Sequence, residues 1–567
     1  MKVPFLQQQA QLEKGHSRTT SQPGSLPFIT DLKAKLLPLT QHSYSIPNPL
    51  ARALKLVAAV LVFVVLCLNL PSRRPYATDL VLETADLRNG ALVSVKPVRP
   101  SHAADDLAKS VNESTRDAPP TTTHVMNCNT DVGRLREIGA AHDLGDQIEY
   151  LKHYVRFTRK PIERRSYTML QQSLLPDSSE VGQSFRTLRL SESNVHEAEC
   201  RKPLDLEVPQ SPFPANVDLS DYIFALTTTF KRLKHPKTIE EWAYWLTDGN
   251  GRTNGGKLLV RLTDASDVEL RDVTQCLADV GIDAEWFVLC DADTFFSAMN
   301  SLVAKFKQYD PTMSLYIGTL SEDAGAVKLH GSQAFGGGGV FLSRPLAKII
   351  SSVHDTCNTR VKLKESNSGW GPQGDILLRK CIYENTNVRL TQLDDLWQLD
   401  LSGDAAGFYE GGLKPFSIHH FKGHKNWWHA SFPLNTTKIA RTCGGDCSYQ
   451  RFVTADNFII SNGYSIAQYP QGIDFDLNQI EGTFRSDIKV DGKKNGWGFD
   501  YTFGPQRPPL SNTGKKMAWD IYDSQYLEDG SVSQVYVRKK DDERWTTKDG
   551  KPMKALDGII ELIWIPA

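Results

Sequence analysis

The sequence predicts an α/β layer with a mostly parallel sheet, a β-rich module after it and one membrane-spanning helix before it. Three patterns carry that expectation. From Asp221 onward, short β-rich apolar runs alternate with segments of helical spacing, as in βαβ units. Beyond about residue 450, strand-like runs (IKV, GWGFDYTF, SVSQVYV, IIELIWI) are separated by Gly, Pro, Asn and Asp turns, which marks a β-rich module. Near the N-terminus, LVAAVLVFVVLCL (residues 56–68), extended to Leu70, is apolar on every side, unlike a helix with one buried face.

Residues 1–50 are polar, with Gln, Ser and Pro, and read as a disordered cytosolic tail. Adding residues 51–55, where Lys55 can snorkel, brings the apolar run to the roughly 17–25 residues that a span needs. Residues 51–70 are therefore assigned as a signal-anchor crossing the lipid bilayer. A cleavable signal peptide totals only about 15–30 residues, fewer than those preceding this run's end. Residues 1–55 hold seven Lys or Arg and two acids, against seven of each in residues 71–123, which favours a cytosolic N-terminus. Eight of the nine cysteines follow the span, an even number expected in a disulfide-permissive lumen. Sequons at Asn112 and Asn435 agree. Residues 71–125 read as a stem, and 126–215 as a lead-in whose structure the pattern does not define. The whole chain has 65 basic and 66 acidic residues, a net charge of −1, which argues against a nucleic-acid partner.

The α/β region spans residues 216–450. YIFALTTT (222–229) predicts a buried strand, and Pro236 opens a helix with Ile239, Trp242, Ala243 and Leu246 on one face. KLLVRLT (257–263) predicts a second strand, and Ser266 with Glu269 a capping box for the next helix. WFVLC (286–290) and SLYIGTL (314–320) predict further strands. Ligands of such sheets bind outside the carboxyl ends of the strands. The module is assigned to residues 451–567.

Four segments offer chemistry. Asp291-Ala292-Asp293 directly follows the third strand, and two carboxylates there can grip a hard cation that also binds phosphate oxygens. The same strand followed by Asp291-Ala292-Asp293-Thr294 reads alternatively as a phosphatase nucleophile motif, with Asp291 attacking phosphorus. A second D-x-D, Asp474-Phe475-Asp476, reads as a solvated turn. FGGGGVFLSRP (335–345) lets backbone approach a ligand closely or makes a tight bend. Asp375, after a Gly-Pro-Gln-Gly turn, is a helix N-cap or a general base. FSIHHFKGHKNWWH (416–429) holds four histidines, which together with Cys443 and Cys447 admit zinc. A local Cys443–Cys447 disulfide is preferred, and Cys357 and Cys381 are placed to brace the Asp375 loop.

These segments, in this order over residues 221–470, resemble the fringe-like β-1,3-glycosyltransferases of family 31, and most closely the fungal lumenal branch. The resemblance implies a GT-A fold, a Rossmann-like nucleotide-diphospho-sugar transferase sheet, behind a type II Golgi membrane anchor. It implies Mn²⁺ as cofactor, a UDP-sugar donor and a glycan or glycoprotein acceptor. Asp293 is then the direct metal ligand, with Asp291 on metal or donor, His419 the second ligand and His420 the fallback. Asp375 is the implied base, and Gly337 and Gly338 lie beside the donor. The reaction implied is inverting sugar transfer to an acceptor hydroxyl. Two departures stand out: the motif's middle Asp is Ala292, and only a short stretch separates the second strand from Trp286. The family has another strand and helix there, so a non-catalytic glycan-binding relative is the alternative expectation.

Overall fold

The computed structural model describes residues 80–87, 90–97, 126–175, 185–193, 200–263, 284–369, 371–420, 432–485 and 505–567. All of these lie in one compact unit, Tyr76–Ala567. The expected anchor at 51–70, the capping-box helix, the strand-like runs IKV and GWGFDYTF and the later part of the histidine-rich segment lie outside the described residues. Among the described residues no helix is long and apolar enough to cross a membrane.

The molecule is mixed α/β. Its first sheet has eight strands: β1 (Leu80–Leu87), β2 (Gly90–Pro97), β3 (Tyr222–Thr228), β4 (Lys257–Leu262), β5 (Trp286–Asp291), β6 (Tyr316–Gly318), β7 (Val340–Ser343) and β8 (Leu390–Gln392). Their spatial order is β1-β2-β4-β3-β5-β7-β6-β8. β3 pairs parallel with β4 and β5, and β6 parallel with β8. The β1–β2 hairpin, from the segment expected as stem, pairs antiparallel along the outer edge of β4.

The sheet is less parallel than expected, because β7 runs antiparallel to both β5 and β6. After β6 the chain passes through a short helix (Ala324–His330) to the glycine loop, where Phe335 N–H donates to Thr319 O just past β6. The loop therefore sits at the carboxyl end of β6, and a chain re-entering the sheet from that end must run back antiparallel.

Helices cover both faces. α1 (Pro236–Leu246) and α2 (Met299–Phe306) share a core with Phe224, Val260, Val288 and Phe341, in which Trp242 and Trp245 are fully buried. On the other face, α3 (Arg344–Ser352) and α4 (Gly374–Asn385) contribute Leu346 and Ile382 beneath Tyr316 and Leu342. Burying each such side chain is worth about 1.5–3 kcal/mol.

The module is a ten-stranded sheet that draws on both ends of the body. Asp557–Pro566 pairs parallel with Gln147–Lys160, whose far edge carries Arg186–Arg189 and Leu204–Pro209. Tyr167–Met169 pairs with Arg451–Val453. The lead-in therefore supplies strands to the module. Its core includes Phe157, Phe452, Trp519, Tyr536 and Trp564. Ion pairs Arg544–Asp404 and Lys516–Glu410 tie it to the α/β half at 3.1 and 2.6 Å. Disulfides join Cys128–Cys200, Cys357–Cys381 and Cys443–Cys447, and Cys290 is a buried free thiol in β5. The local disulfide thus takes both thiols that a zinc site would need.

Candidate active site

Alternate residues of β5 face the core (Trp286, Val288, Cys290), and the strand ends where Asp291 emerges. A tight turn follows: Thr294 N–H donates to Asp291 O at 3.0 Å, and Asp291 N–H donates to Thr294 Oγ1 at 3.0 Å. Ala292 points inward and is 4% exposed, with its carbonyl against the Trp242 indole N–H. The middle position of the motif therefore contributes no side chain to the site. Asp291 and Asp293 face outward on the same side.

His419 comes to both. Ser417–Ile418 pairs parallel with Leu396–Trp397, and Ile418 exchanges hydrogen bonds with Phe295, two residues past Asp293. This places His419 Nε2 at 3.3 Å from Asp293 Oδ1 and 3.4 Å from Asp291 Oδ2. His420, in a left-handed conformation (φ +48), turns to Asp400 Oδ1 at 3.1 Å instead. Arg232, just beyond β3, reaches Asp293 Oδ2 at 3.3 Å.

The glycine loop is the floor. A Cβ on Gly337 would lie 2.1 Å from His419 Nδ1 and 2.4 Å from Gln398 Oε1, and one on Gly338 would lie 2.6 Å from the Thr319 methyl. The close approach these two glycines permit is to the imidazole and to Thr319. Gly336 is the glycine that lies between Asp375 and Asp291, 3.2 and 3.4 Å from their Oδ1 atoms by the same measure. Three hydroxyl and amide groups hold the loop. Thr294 Oγ1 donates to Gly337 O at 3.0 Å, Ser417 Oγ donates to Gly338 O at 2.6 Å, and Gly338 N–H donates to Gln398 Oε1 at 3.1 Å.

Asp375 is not the cap of its helix. Gln373 occupies the N-cap position of α4, and Asp375 sits in the first turn. Its Oδ2 accepts the Gly336 N–H at 3.0 Å, so the carboxylate satisfies the glycine loop rather than its own helix.

These groups perturb one another. Burial pushes the Asp375 carboxyl up to about 7, with the Asp291 charge adding and the Gly336 N–H opposing. Such a value suits a base working near neutrality. Burial also works to raise Asp293, but His419 and Arg232 outweigh it and hold that carboxyl well below the usual range. Burial works to lower His419, yet Asp293, Asp291 and Asp400 raise it overall, favouring the imidazolium.

Among the described residues, no group of three or more His, Cys, Asp or Glu side chains stands as a ready-made metal centre. The triplet is closed on itself as an ion pair. Its donor set still fits a divalent cation in kind, since two carboxylates and an imidazole suit Mn²⁺. The two contacts that His419 makes, at 3.3 and 3.4 Å, are somewhat longer than the separation of about 3 Å between ligands at right angles and about 2.1 Å from an octahedral ion.

Residues 327–559 match the family described as Protein of unknown function, DUF604, a family of fringe and β-1,3-glycosyltransferase likeness. The match takes in the glycine loop, Asp375, His419 and most of the module, and begins beyond Asp291 and Asp293. No curated protein matches the chain.

The structure brings Asp291, Asp293, His419, Gly337, Gly338 and Asp375 together. It leaves Asp474 and Asp476 elsewhere, with Asp474 paired to Lys515 on the surface. Sequence reading missed Arg232, Thr294, Glu322, Gln398, Asp400 and Ser417. Thr294 and Ser417 lie inside the motifs already singled out. Glu322 carries the signal that flagged Asp291, an acid just past an apolar strand. Gln398 and Asp400 sit in LWQLDL, whose alternation reads only as a strand.

Proposed function

We propose that this chain is an inverting, Mn²⁺-dependent glycosyltransferase of GT-A fold, transferring a sugar from a UDP-sugar to a glycan hydroxyl. The observation that carries the reading is the convergence of Asp291, Asp293, His419 and Asp375 around one glycine loop at the carboxyl edge of the sheet. That edge is where α/β sheets bind ligands. The DUF604 match over the loop, Asp375 and His419 supports it.

Asp293, Asp291 and His419 are the residues that would hold Mn²⁺, which when bound neutralises the donor diphosphate and improves it as a leaving group. Gly336 fixes Asp375 Oδ2, leaving Oδ1 to take the proton of the acceptor hydroxyl as that oxygen attacks the sugar from the face opposite UDP. One base suffices, and no enzyme nucleophile is required. The three disulfides support an oxidising compartment, in keeping with a type II Golgi protein anchored by residues 51–70.

The test is release of UDP from a panel of UDP-sugars by the full chain, with and without Mn²⁺. Turnover that needs Mn²⁺ and disappears in Asp293→Ala and in Asp375→Asn is expected. Full activity in both variants sinks the assignment. Glycan binding without donor turnover, even with Mn²⁺, assigns a glycan-binding role instead.

A further inference from the structure

We propose that Glu322 is a positioning residue that fixes both histidines of the site through the turn at residues 398–400. The idea rests on the proposed metal site for its purpose, but not for its geometry. Glu322 leaves β6 at the carboxyl edge and is 0% exposed. Its Oε1 accepts the Gln398 N–H at 2.9 Å, and its Oε2 accepts those of Leu399 and Asp400 at 2.7 and 3.4 Å. Three successive amides can converge on one carboxylate because Leu399 is left-handed, at φ +59, like the backbone nests that hold anions. That conformation is unfavourable for a leucine. The carboxylate supplies the compensating contacts.

From this turn the fixed atoms reach the site. Gln398 O faces His419 Nδ1 at 3.3 Å, so that Nε2 is the nitrogen presented to Asp291 and Asp293. The Gln398 side chain accepts from Gly338 N–H beneath the same ring. Asp400 Oδ1 holds His420 Nδ1, while Asp400 Oδ2 accepts from Ser321 Oγ at 2.7 Å. The two imidazoles lie 3.8 Å apart between centroids, tilted by 33°. In Glu322→Gln one of the two acceptor oxygens becomes an NH2 donor facing the amides of this turn, so the turn relaxes at Leu399 and both rings lose the atoms that orient them.

The experiment uses the full chain, histidine-labelled with ¹³C and free of metal. The Cε1–H signals of His419 and His420 are assigned from His419→Gln and His420→Gln. In Glu322→Gln both signals are expected to move, whereas in Glu481→Gln, a buried carboxylate of the module, they stay. Unmoved signals in a folded Glu322→Gln overturn the proposal. If that variant does not fold, Glu322→Asp keeps both acceptor oxygens but shortens the reach, and the same two outcomes apply. In a second arm, Mn²⁺ is titrated by electron paramagnetic resonance. Glu322→Gln is expected to bind it roughly 10–100-fold more weakly than the wild type, as for other groups that orient metal ligands; equal affinity counts against the role. Moved signals together with no Mn²⁺ binding by the wild type overturn the metal-site reading and leave the role of Glu322 standing.

Discussion

Asp375 is pulled in opposite directions by folding and by catalysis. Burial raises its folded pKa to about 7, against about 3.9 for a free aspartate. A group raised on folding favours the fold when protonated. Its cost to stability is absent below pH ~4 and fully present once the pH has risen through 7. Asp375→Asn removes that cost. The variant should melt higher than the wild type at pH 8, with the gain shrinking toward pH 4, while its turnover falls by about 10²–10⁴-fold. In the wild type, kcat/KM should drop as the pH falls through about 7, when the base takes up its proton. Scanning calorimetry at the two pH values and a pH–rate profile check these signs. Gly337 makes a different prediction at the same scale. A methyl group there meets His419 Nδ1 and Gln398 Oε1, so Gly337→Ala should displace the imidazole. Mn²⁺ binding should be lost even where circular dichroism shows the fold retained.

The element on which the site turns is the loop at 336–339, held by strands that are distant in sequence. The Ser417 hydroxyl is fully buried and donates to Gly338 O. Ser417→Ala leaves that carbonyl short of a partner, at about 1–3 kcal/mol, and should lower both the unfolding midpoint in urea and the affinity for Mn²⁺. The Cys357–Cys381 disulfide ties the short helix His354–Cys357 to α4, which carries Asp375. Cys357→Ala with Cys381→Ala should cost about 3 kcal/mol by the loop-closure argument and lower turnover, both visible in parallel denaturation and activity assays. Strands β3, β4 and β5 were legible because a buried strand needs a continuous apolar run, which YIFALTT, KLLVRL and WFVLC supply. The direction of β7 was not legible, because VFLS reads the same either way and only the position of the glycine loop decides it. The cap reading of Asp375 failed for a related reason. A carboxylate beside a helix start caps it unless a stronger donor is near, and the Gly336 N–H comes from a distant segment.

At the scale of the molecule, the module cannot be cut away at residue 450. Its last strand, Asp557–Pro566, pairs along its length with Gln147–Lys160, and the buried residues Leu151, Val155 and Phe157 share its core. A fragment of residues 451–567 exposes that edge and core, which is the condition for aggregation. It should elute as aggregate, and a chain ending at residue 450 should be cleaved rapidly across 147–160 in limited proteolysis. Recovery of a monomeric, folded 451–567 fragment would contradict this architecture. The lead-in gave no clear reading, because its long strand, Gln147–Lys160, is completed by a partner some 400 residues away.

The sequence by itself determined strands β3 to β6, helix α1, the β character of the C-terminal region and the places of Asp291, Asp293 and Asp375, while His419 was singled out among four histidines by resemblance. Local apolar period and local turn chemistry suffice for the strands, the helix and the three carboxylates. Tertiary structure alone decided that Ala292 faces the core, that β7 runs backwards and that residues 147–209 belong to the module. It also decided that Glu322, Gln398 and Asp400 stand behind the histidines. Each of these depends on contacts between segments remote in the chain, where the partner is chosen by the packing of the whole sheet and leaves no mark in the neighbouring residues.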